Sequence, residues 1–197
     1  MIIAIANLKG GTAKTTTAMY LAMCAWESDA NPVVVDADSE PSALAWAAPG
    51  NLPFAVVAGD GDGLVMQVKQ LAVDGYTVII DGPPNARDAL WAAATAADVV
   101  LVPIKPTGID VNRLRSTLKV LMNIEASRPG GLRTRILFTM FERNTVLLRE
   151  ALDALARFPI LTAKVRNLQR YARGFGQAPR YLAEYREVWR EVRDAAR

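Results

Sequence analysis

A doubly wound α/β domain, with a mostly parallel sheet and helices on both faces, is the fold class this sequence predicts. Three observations lead there. Short apolar runs alternate with stretches of helical spacing along most of the 197 residues. Several of those runs are apolar at consecutive positions, as strands covered on both faces must be. Polar, chemically capable residues follow several runs directly, where open α/β sheets hold their ligands.

Ile2–Ala6 is the first predicted strand, an apolar run that ends at the polar stretch Asn7–Lys9. The helical spacing of Thr15–Trp26 follows, then the β-branched run Val33–Val35 as the second strand. Ser42–Trp46 reads as a short helix and Phe54–Val57 as the third strand. Gly63–Val73 has helical spacing, Val78–Ile80 is an apolar strand, and Ala86–Ala97 is again helical. Val99–Ile104 is strand-sized and far short of a membrane span. Val111–Ala126 is a helix, Pro129-Gly130-Gly131 a turn, Ile136–Met140 the sixth strand and Asn144–Phe158 a helix. A final helical stretch carries Leu182, Tyr185, Val188, Trp189 and Val192 on one face, which predicts packing against the domain. Trp26, Trp46 and Trp91 fall in predicted helices and are expected to pack as well. No repeat or linker interrupts the pattern, so residues 1–197 are expected to form one domain.

Composition removes whole classes of chemistry. The sequence has no histidine, which excludes Ser-His-Asp and Cys-His nucleophile pairs and every His-ligated metal site. Its one cysteine, Cys24, excludes an internal disulfide and CxxC redox chemistry. The N-terminal stretch lacks the basic and apolar regions of a signal peptide, so a cytoplasmic protein is expected. The net charge of +3 is uneven: from Lys164 to Arg197 nine Lys/Arg face four Asp/Glu. A basic segment at about 164–197 on a mildly acidic body suggests an anionic partner for that end.

Four polar groups follow strands and should converge on one rim: Lys9–Thr16, Asp36 with Asp38, Asp81, and Lys105-Pro106-Thr107 after Val99–Ile104. Between the first strand and first helix lies Lys9-Gly10-Gly11-Thr12-Ala13-Lys14-Thr15-Thr16. Its glycines let the backbone curl with N–H groups inward, and the following helix adds a partial charge of roughly +0.5 at its N-terminus. Lys14 is placed to reach the β- and γ-phosphates of a nucleotide, and the Thr15 hydroxyl to ligate Mg²⁺. The ordinary pattern GxxxxGK[ST] fails, because Leu8 and Ala13 stand at its glycine positions; KGGxxK[ST] fits instead. Asp81 ends the run Tyr76–Ile80 and precedes Gly82-Pro83-Pro84, the arrangement of a Mg²⁺-holding acid before a switch loop. Asp36 and Asp38 follow the second strand; one would support the Mg²⁺ shell while the other holds the attacking water. The alternative is a pair of loop acids capping the Ser42–Trp46 helix. Asp38 is the best candidate for positioning water.

Together these residues resemble the ParA/MinD family of deviant Walker A ATPases, most of all its small partition members. The resemblance implies a P-loop NTPase fold, ATP/ADP and Mg²⁺ as cofactors, and phosphate-loop contacts from Lys9, Gly10, Gly11, Thr12, Ala13, Lys14, Thr15 and Thr16. It implies that Lys9 is a signature lysine acting across a homodimer interface on the partner's ATP, and that Asp36 and Asp81 serve the metal while Asp38 assists hydrolysis. Val102–Pro106, Leu137–Met140 and Val165–Asn167 resemble segments that frame the base, which brings in Pro106 and Met140, and the last also the DNA-binding face. Ala13 departs from the family's usual glycine, and Ser39-Glu40 from its Pro-Gln.

The implied function is an ATP-dependent DNA partition ATPase, cytoplasmic and nucleoid-associated. Its ATP dimer would bind DNA nonspecifically and be released when a small centromere-binding adaptor of the ParB/ParG kind stimulates hydrolysis. The alternatives are a positioning ATPase for another cargo and a metabolic P-loop enzyme. Lys164, Arg166, Arg170 and Arg173 are the expected phosphate contacts, because the interval to Arg180 holds no acid. The last helix interleaves acids with its arginines, which predicts a solvated face and weak attraction to anionic lipid, so membrane is not an expected partner.

Overall fold

The computed structural model describes every residue except Pro129, Gly130, Asn144 and Arg197, so the expected turn at Pro129-Gly130 lies outside the described residues. Six strands, β1 (Ile2–Ile5), β2 (Pro32–Asp36), β3 (Ala55–Ala58), β4 (Thr77–Asp81), β5 (Val99–Ile104) and β6 (Arg133–Phe138), form one sheet in the order β3-β2-β4-β1-β5-β6. Every pairing is parallel, so the predicted fold class holds.

The parallel sheet is buried on both faces, and successive side chains divide between two cores. Ile2, Ala4, Val33, Val35, Val78, Ile80, Val100 and Val102 face one side. There they pack against α3 (Leu64–Val73), α4 (Arg87–Ala96), α5 (Gly108–Ser127) and α6 (Val146–Ala154). Ile3, Ile5, Val34, Ile79, Val99 and Leu101 face the other. Their cover is α1 (Lys14–Glu27), α2 (Ser42–Ala47), α7 (Gln169–Ala172) and α8 (Ala183–Ala196). Each fully buried aliphatic side chain contributes about 1.5–3 kcal/mol.

Several boundaries differ from expectation, among them the end of α6 at Ala154 rather than Phe158, and two of the differences have clear local reasons. Strand β6 begins at Arg133 rather than Ile136, because Arg133, Thr134 and Arg135 pair in register with Val99, Val100 and Leu101. Helix α5 begins at Gly108 rather than Val111, because the Thr107 hydroxyl caps it by accepting from the Asp110 N–H at 3.2 Å. The α8 face is spent on the core: Tyr185, Val188, Trp189 and Val192 are buried, and Trp189 Nε1 donates to Ser28 Oγ at 3.0 Å. Trp46 is buried as expected, whereas Trp26 and Trp91 are each 45% exposed, a correction to their expected packing. Among the described residues no helix is long and apolar enough to cross a membrane.

Candidate active site

Parallel pairing sets the ends of β1, β2 and β4 side by side: Ile5 pairs with Asp81, and Asp81 with Asp36. From β1 the chain runs through residues 6–13 into α1. Gly11 takes φ +70° at no steric cost, but Ala13 takes φ 66° with a Cβ. A non-glycine residue there carries a penalty of about 1–2 kcal/mol. This left-handed residue is the N-cap of α1, and no side chain hydrogen-bonds there, so the helix presents its first N–H groups to the rim.

Lys14 begins α1 and is buried, with Nζ donating to the Lys9 carbonyl at 3.2 Å. Burial holds its ammonium below the usual lysine range, opposed by the nearby charges of Asp81 and then Asp38. Asp81 is 1% exposed, and its Oδ1 has no hydrogen-bond partner among the described residues. Burial pushes its carboxyl up to about 7; a hydrogen bond from Thr15 lowers it, Asp36 raises it and Lys14 lowers it. A buried, orphaned carboxylate oxygen beside a hydroxyl and an ammonium is costly unless a cation completes it.

The segment after β4 is fastened to the phosphate loop. Gly82 N–H donates to the Ile5 carbonyl at 3.0 Å, and a Cβ at Gly82 would stand 2.9 Å from that oxygen, so only glycine fits. The Asn85 N–H donates to the Leu8 carbonyl at 2.9 Å. Half-buried Asp38 takes the Glu40 N–H on Oδ1 at 3.1 Å.

Beside the loop lies a cleft of about 130 Å³ whose lining includes Ala13, Thr16, Thr139, Met140, Arg166, Asn167 and Tyr171. It is held to the loop by Thr139, whose hydroxyl lies 3.1 Å from the Thr12 carbonyl. Met140 turns the chain there with φ 52°. Pro106 is buried and lies outside this lining.

Comparison with known proteins decides the family. Residues 3–176 match the CobQ/CobB/MinD/ParA nucleotide binding domain. The chain belongs to this family. Protein ParA of Rhizobium radiobacter is 28% identical over 142 residues, covering 71% of this chain and 64% of its own length. Maintenance of carboxysome distribution protein A of Gloeobacter kilaueensis is 33% identical over 157 residues, 78% of this chain and 68% of its own length. The chain thus spans about two thirds of the length of these relatives. Among solved structures, apo McdA of Cyanothece superposes with a TM-score of 0.79 at 20% identity, covering 98% of both chains. Cobyrinic acid a,c-diamide synthase of Mycobacterium smegmatis, solved with ADP and magnesium, gives 0.76 at 20% identity, covering 96% of this chain and 92% of its own.

Within this family member the expected residues divide. The structure brings Lys14, Thr15, Asp38 and Asp81 together at one rim. Asp36 is a correction. Its Oδ2 accepts from the Ala43 and Leu44 N–H groups at 2.8 and 3.0 Å, and its Oδ1 from the Asp38 N–H at 3.2 Å. It caps α2 and shapes the turn to Asp38, so the capping alternative describes it and a metal-ligand role does not. Lys9 does not point to the loop's centre but forms an ion pair with buried Asp110 in the first turn of α5.

The basic segment also needs correction. The acid missing from the interval arrives from α8: Arg166 is paired with Glu184, which also accepts from the Tyr171 hydroxyl. Arg166 Nη2 reaches the Tyr181 hydroxyl at 3.2 Å, and Arg170 stacks 4.1 Å from the Tyr181 ring centre. Arg173 is exposed, whereas Lys164 is half-buried, with Nζ donating to the Thr162 carbonyl at 3.0 Å. Arg173 shares with Arg170 and Arg180 an open groove of about 230 Å³. Sequence reasoning missed Asp110; Thr139 fell inside the base-framing segment Leu137–Met140 without its tie to the loop, and Glu184 counted only as an acid of the last helix, not as the partner of Arg166. The signal for Asp110 was the Thr107-x-x-Asp110 spacing of a helix start, and that signal says nothing of Lys9.

Proposed function

We propose that this chain is a Mg²⁺-dependent ATPase of the ParA type. It closes as a homodimer around ATP, holds DNA without sequence preference, and releases it when an adaptor protein stimulates hydrolysis. The reading is carried by the orphaned Asp81 oxygen beside Thr15 and Lys14. That donor set fits Mg²⁺ on a nucleotide phosphate, with the Thr15 hydroxyl and Asp81 holding the ion. Mg²⁺ neutralises charge on the transferred phosphoryl group when bound. Lys14 exchanges the Lys9 carbonyl for phosphate oxygens, the α1 N-terminus faces the same charge, and Asp38 orients the water. Lys9 serves the partner subunit's phosphates. The cleft lined by Met140 and Asn167 takes the base.

Exposed Arg173 and half-buried Lys164, with Arg170 and Arg180 along the groove, are the DNA contacts of this proposal, and the working location is the cytoplasmic nucleoid. The adaptor is a small centromere-binding protein if the cargo is DNA. A second reading keeps the ATPase and changes the cargo: the relative at 33% identity is a carboxysome distribution protein, which favours a positioning role. Gel shifts on two unrelated DNA duplexes, with ADP and with a nonhydrolysable ATP analogue, test the switch. Retention only with the analogue, with log K falling against log salt at about −0.9 per phosphate contact, is expected. Equal retention under both nucleotides would refute it.

A further inference from the structure

We propose that Asp110 is the resting-state holder of Lys9, so that one face of α5 sets how readily the phosphate loop gives up its lysine to a partner subunit. The proposal rests on the reading of Lys9 as a cation that acts across the dimer. What it adds is a residue, outside every phosphate-contacting motif, that governs the step.

Lys9 is held by α5 at both ends. Its backbone N–H donates to Asn7 Oδ1 at 3.0 Å, and that amide is fixed in turn by the Thr117 hydroxyl at 3.1 Å and by its own Nδ2 donating to the Pro103 carbonyl at 2.8 Å. Thr117 also accepts the Leu8 N–H at 3.2 Å. At the other end, the Lys9 ammonium sits on Asp110 Oδ1. Asp110 and Thr117 lie two helical turns apart on one face of α5, so a single rigid element grips both backbone and side chain.

Asp110 is 3% exposed, and its second oxygen is taken by the Thr107 hydroxyl. Lys9 is therefore the cation that balances a carboxylate with almost no access to water, and a buried carboxylate deprived of its partner is strongly disfavoured. Arg113, one turn further along α5, lines the same open cleft of about 440 Å³ as Lys9, Gly10 and Asn85. The hold is also linked to the nucleotide. Lys14 donates to the carbonyl of Lys9 itself, so phosphates that draw Lys14 away remove one restraint on the residue that must next swing outward. Dimerisation supplies the other half, since a partner's phosphates offer Lys9 an anion to replace Asp110. The monomer thus keeps most of its population in a state unable to dimerise, and the apparent affinity falls by the competent fraction.

The test compares wild type with D110N, which keeps the side chain's shape and its acceptor for Thr107 but removes the charge. Sedimentation is measured across a titration of Mg²⁺ and a nonhydrolysable ATP analogue, beside K9A. D110N is expected to dimerise at about tenfold lower analogue concentration, with ADP binding to the monomer unchanged. In the nucleotide-free protein, acylation of Lys9 by an amine-reactive ester, read by mass spectrometry, is expected to be faster in D110N than in wild type. If D110N does not fold, D110S is put through the same titration, with the same expected direction. An unchanged midpoint and unchanged Lys9 labelling, while K9A fails to dimerise, would overturn the role of Asp110 and leave the trans role of Lys9 standing. If K9A dimerises as wild type does, the trans role itself fails and the proposal falls with it.

Discussion

Asp36 and Asp81 end neighbouring parallel strands at the same register, and both are almost fully buried. Asp36 accepts three backbone N–H bonds, two of them from the start of α2. Asp81 keeps one oxygen with no partner among the described residues. The first carboxylate is satisfied by its own chain and works as a structural pin. The second is left incomplete at a cost to the fold, and that incompleteness is what a cation can use. The same division recurs among the cations: Arg166 is paired with Glu184 and Lys9 with Asp110, while Lys14 gives its hydrogen bond to a carbonyl, with Asp81 and Asp38 acting on it only as nearby charges. In this molecule a charged group's availability for chemistry follows from whether the fold has already neutralised it.

Five substitutions press on that comparison. Lys14→Ala is expected to abolish ATP binding in titration calorimetry, because the phosphates lose their buried cation; unchanged affinity would place the nucleotide elsewhere. Asp81→Asn is expected to reduce Mg²⁺-dependent hydrolysis at least ~100-fold, since the mutation removes the metal's carboxylate. The same variant should make the metal-free protein more stable at pH 8 by about 1–3 kcal/mol in urea unfolding. The sign follows from the raised pKa. Between the unfolded value of 3.8 and the folded value of about 7, the folded state keeps a proton that the unfolded state has lost. Wild-type stability without metal therefore falls as pH rises through that window and levels off above it, whereas Asp81→Asn stays flat. An identical pH dependence in the two proteins would mean that Asp81 is not the incomplete group.

Asp36→Ala should behave in the opposite way, with a loss of about 2–3 kcal/mol of stability from stranded α2 N–H groups. Bound Mg²⁺ should not restore it. Restoration by the metal would return Asp36 to the metal shell. Glu184→Gln tests the basic segment: with Arg166 released, the salt dependence of DNA binding should steepen by about one contact, or a slope change near −0.9. The smallest effect belongs to Ala13→Gly, expected to stabilise the protein by about 1 kcal/mol by relieving the left-handed residue at the N-cap. A destabilised Ala13→Gly would show that the Cβ makes a compensating contact.

Local pattern was enough for the framework. Runs such as Val33–Val35 and Val99–Ile104 read as buried strands from their short length and β-branched content, and Lys9–Thr16 between a strand and a helix reads as a phosphate loop, because these patterns act over a few residues. Ala13 was marked by its departure from glycine but its left-handed backbone was not, since φ is set by the whole loop, whereas the placement of Asp81 followed from its position after a strand. The two carboxylates, however, look alike in sequence, each an acid after an apolar run. The helix that Asp36 caps starts only a few residues later, so both readings of it were open until the turn was seen.

The sequence by itself thus determined the parallel sheet, the rim and the chemical types gathered on it, since each rests on interactions between near neighbours along the chain. Tertiary structure alone decided which charges remain available. Glu184 reaches Arg166 because α8 packs its Tyr185, Val188 and Trp189 into the core and carries the acid back over the basic segment. Asp110 reaches Lys9 because β1 and β5 are paired, which brings the start of α5 beside the loop that leaves β1. Coulomb attraction falls with distance in space and is indifferent to separation along the chain, so the fate of each charge was settled only when the sheet order brought distant segments together.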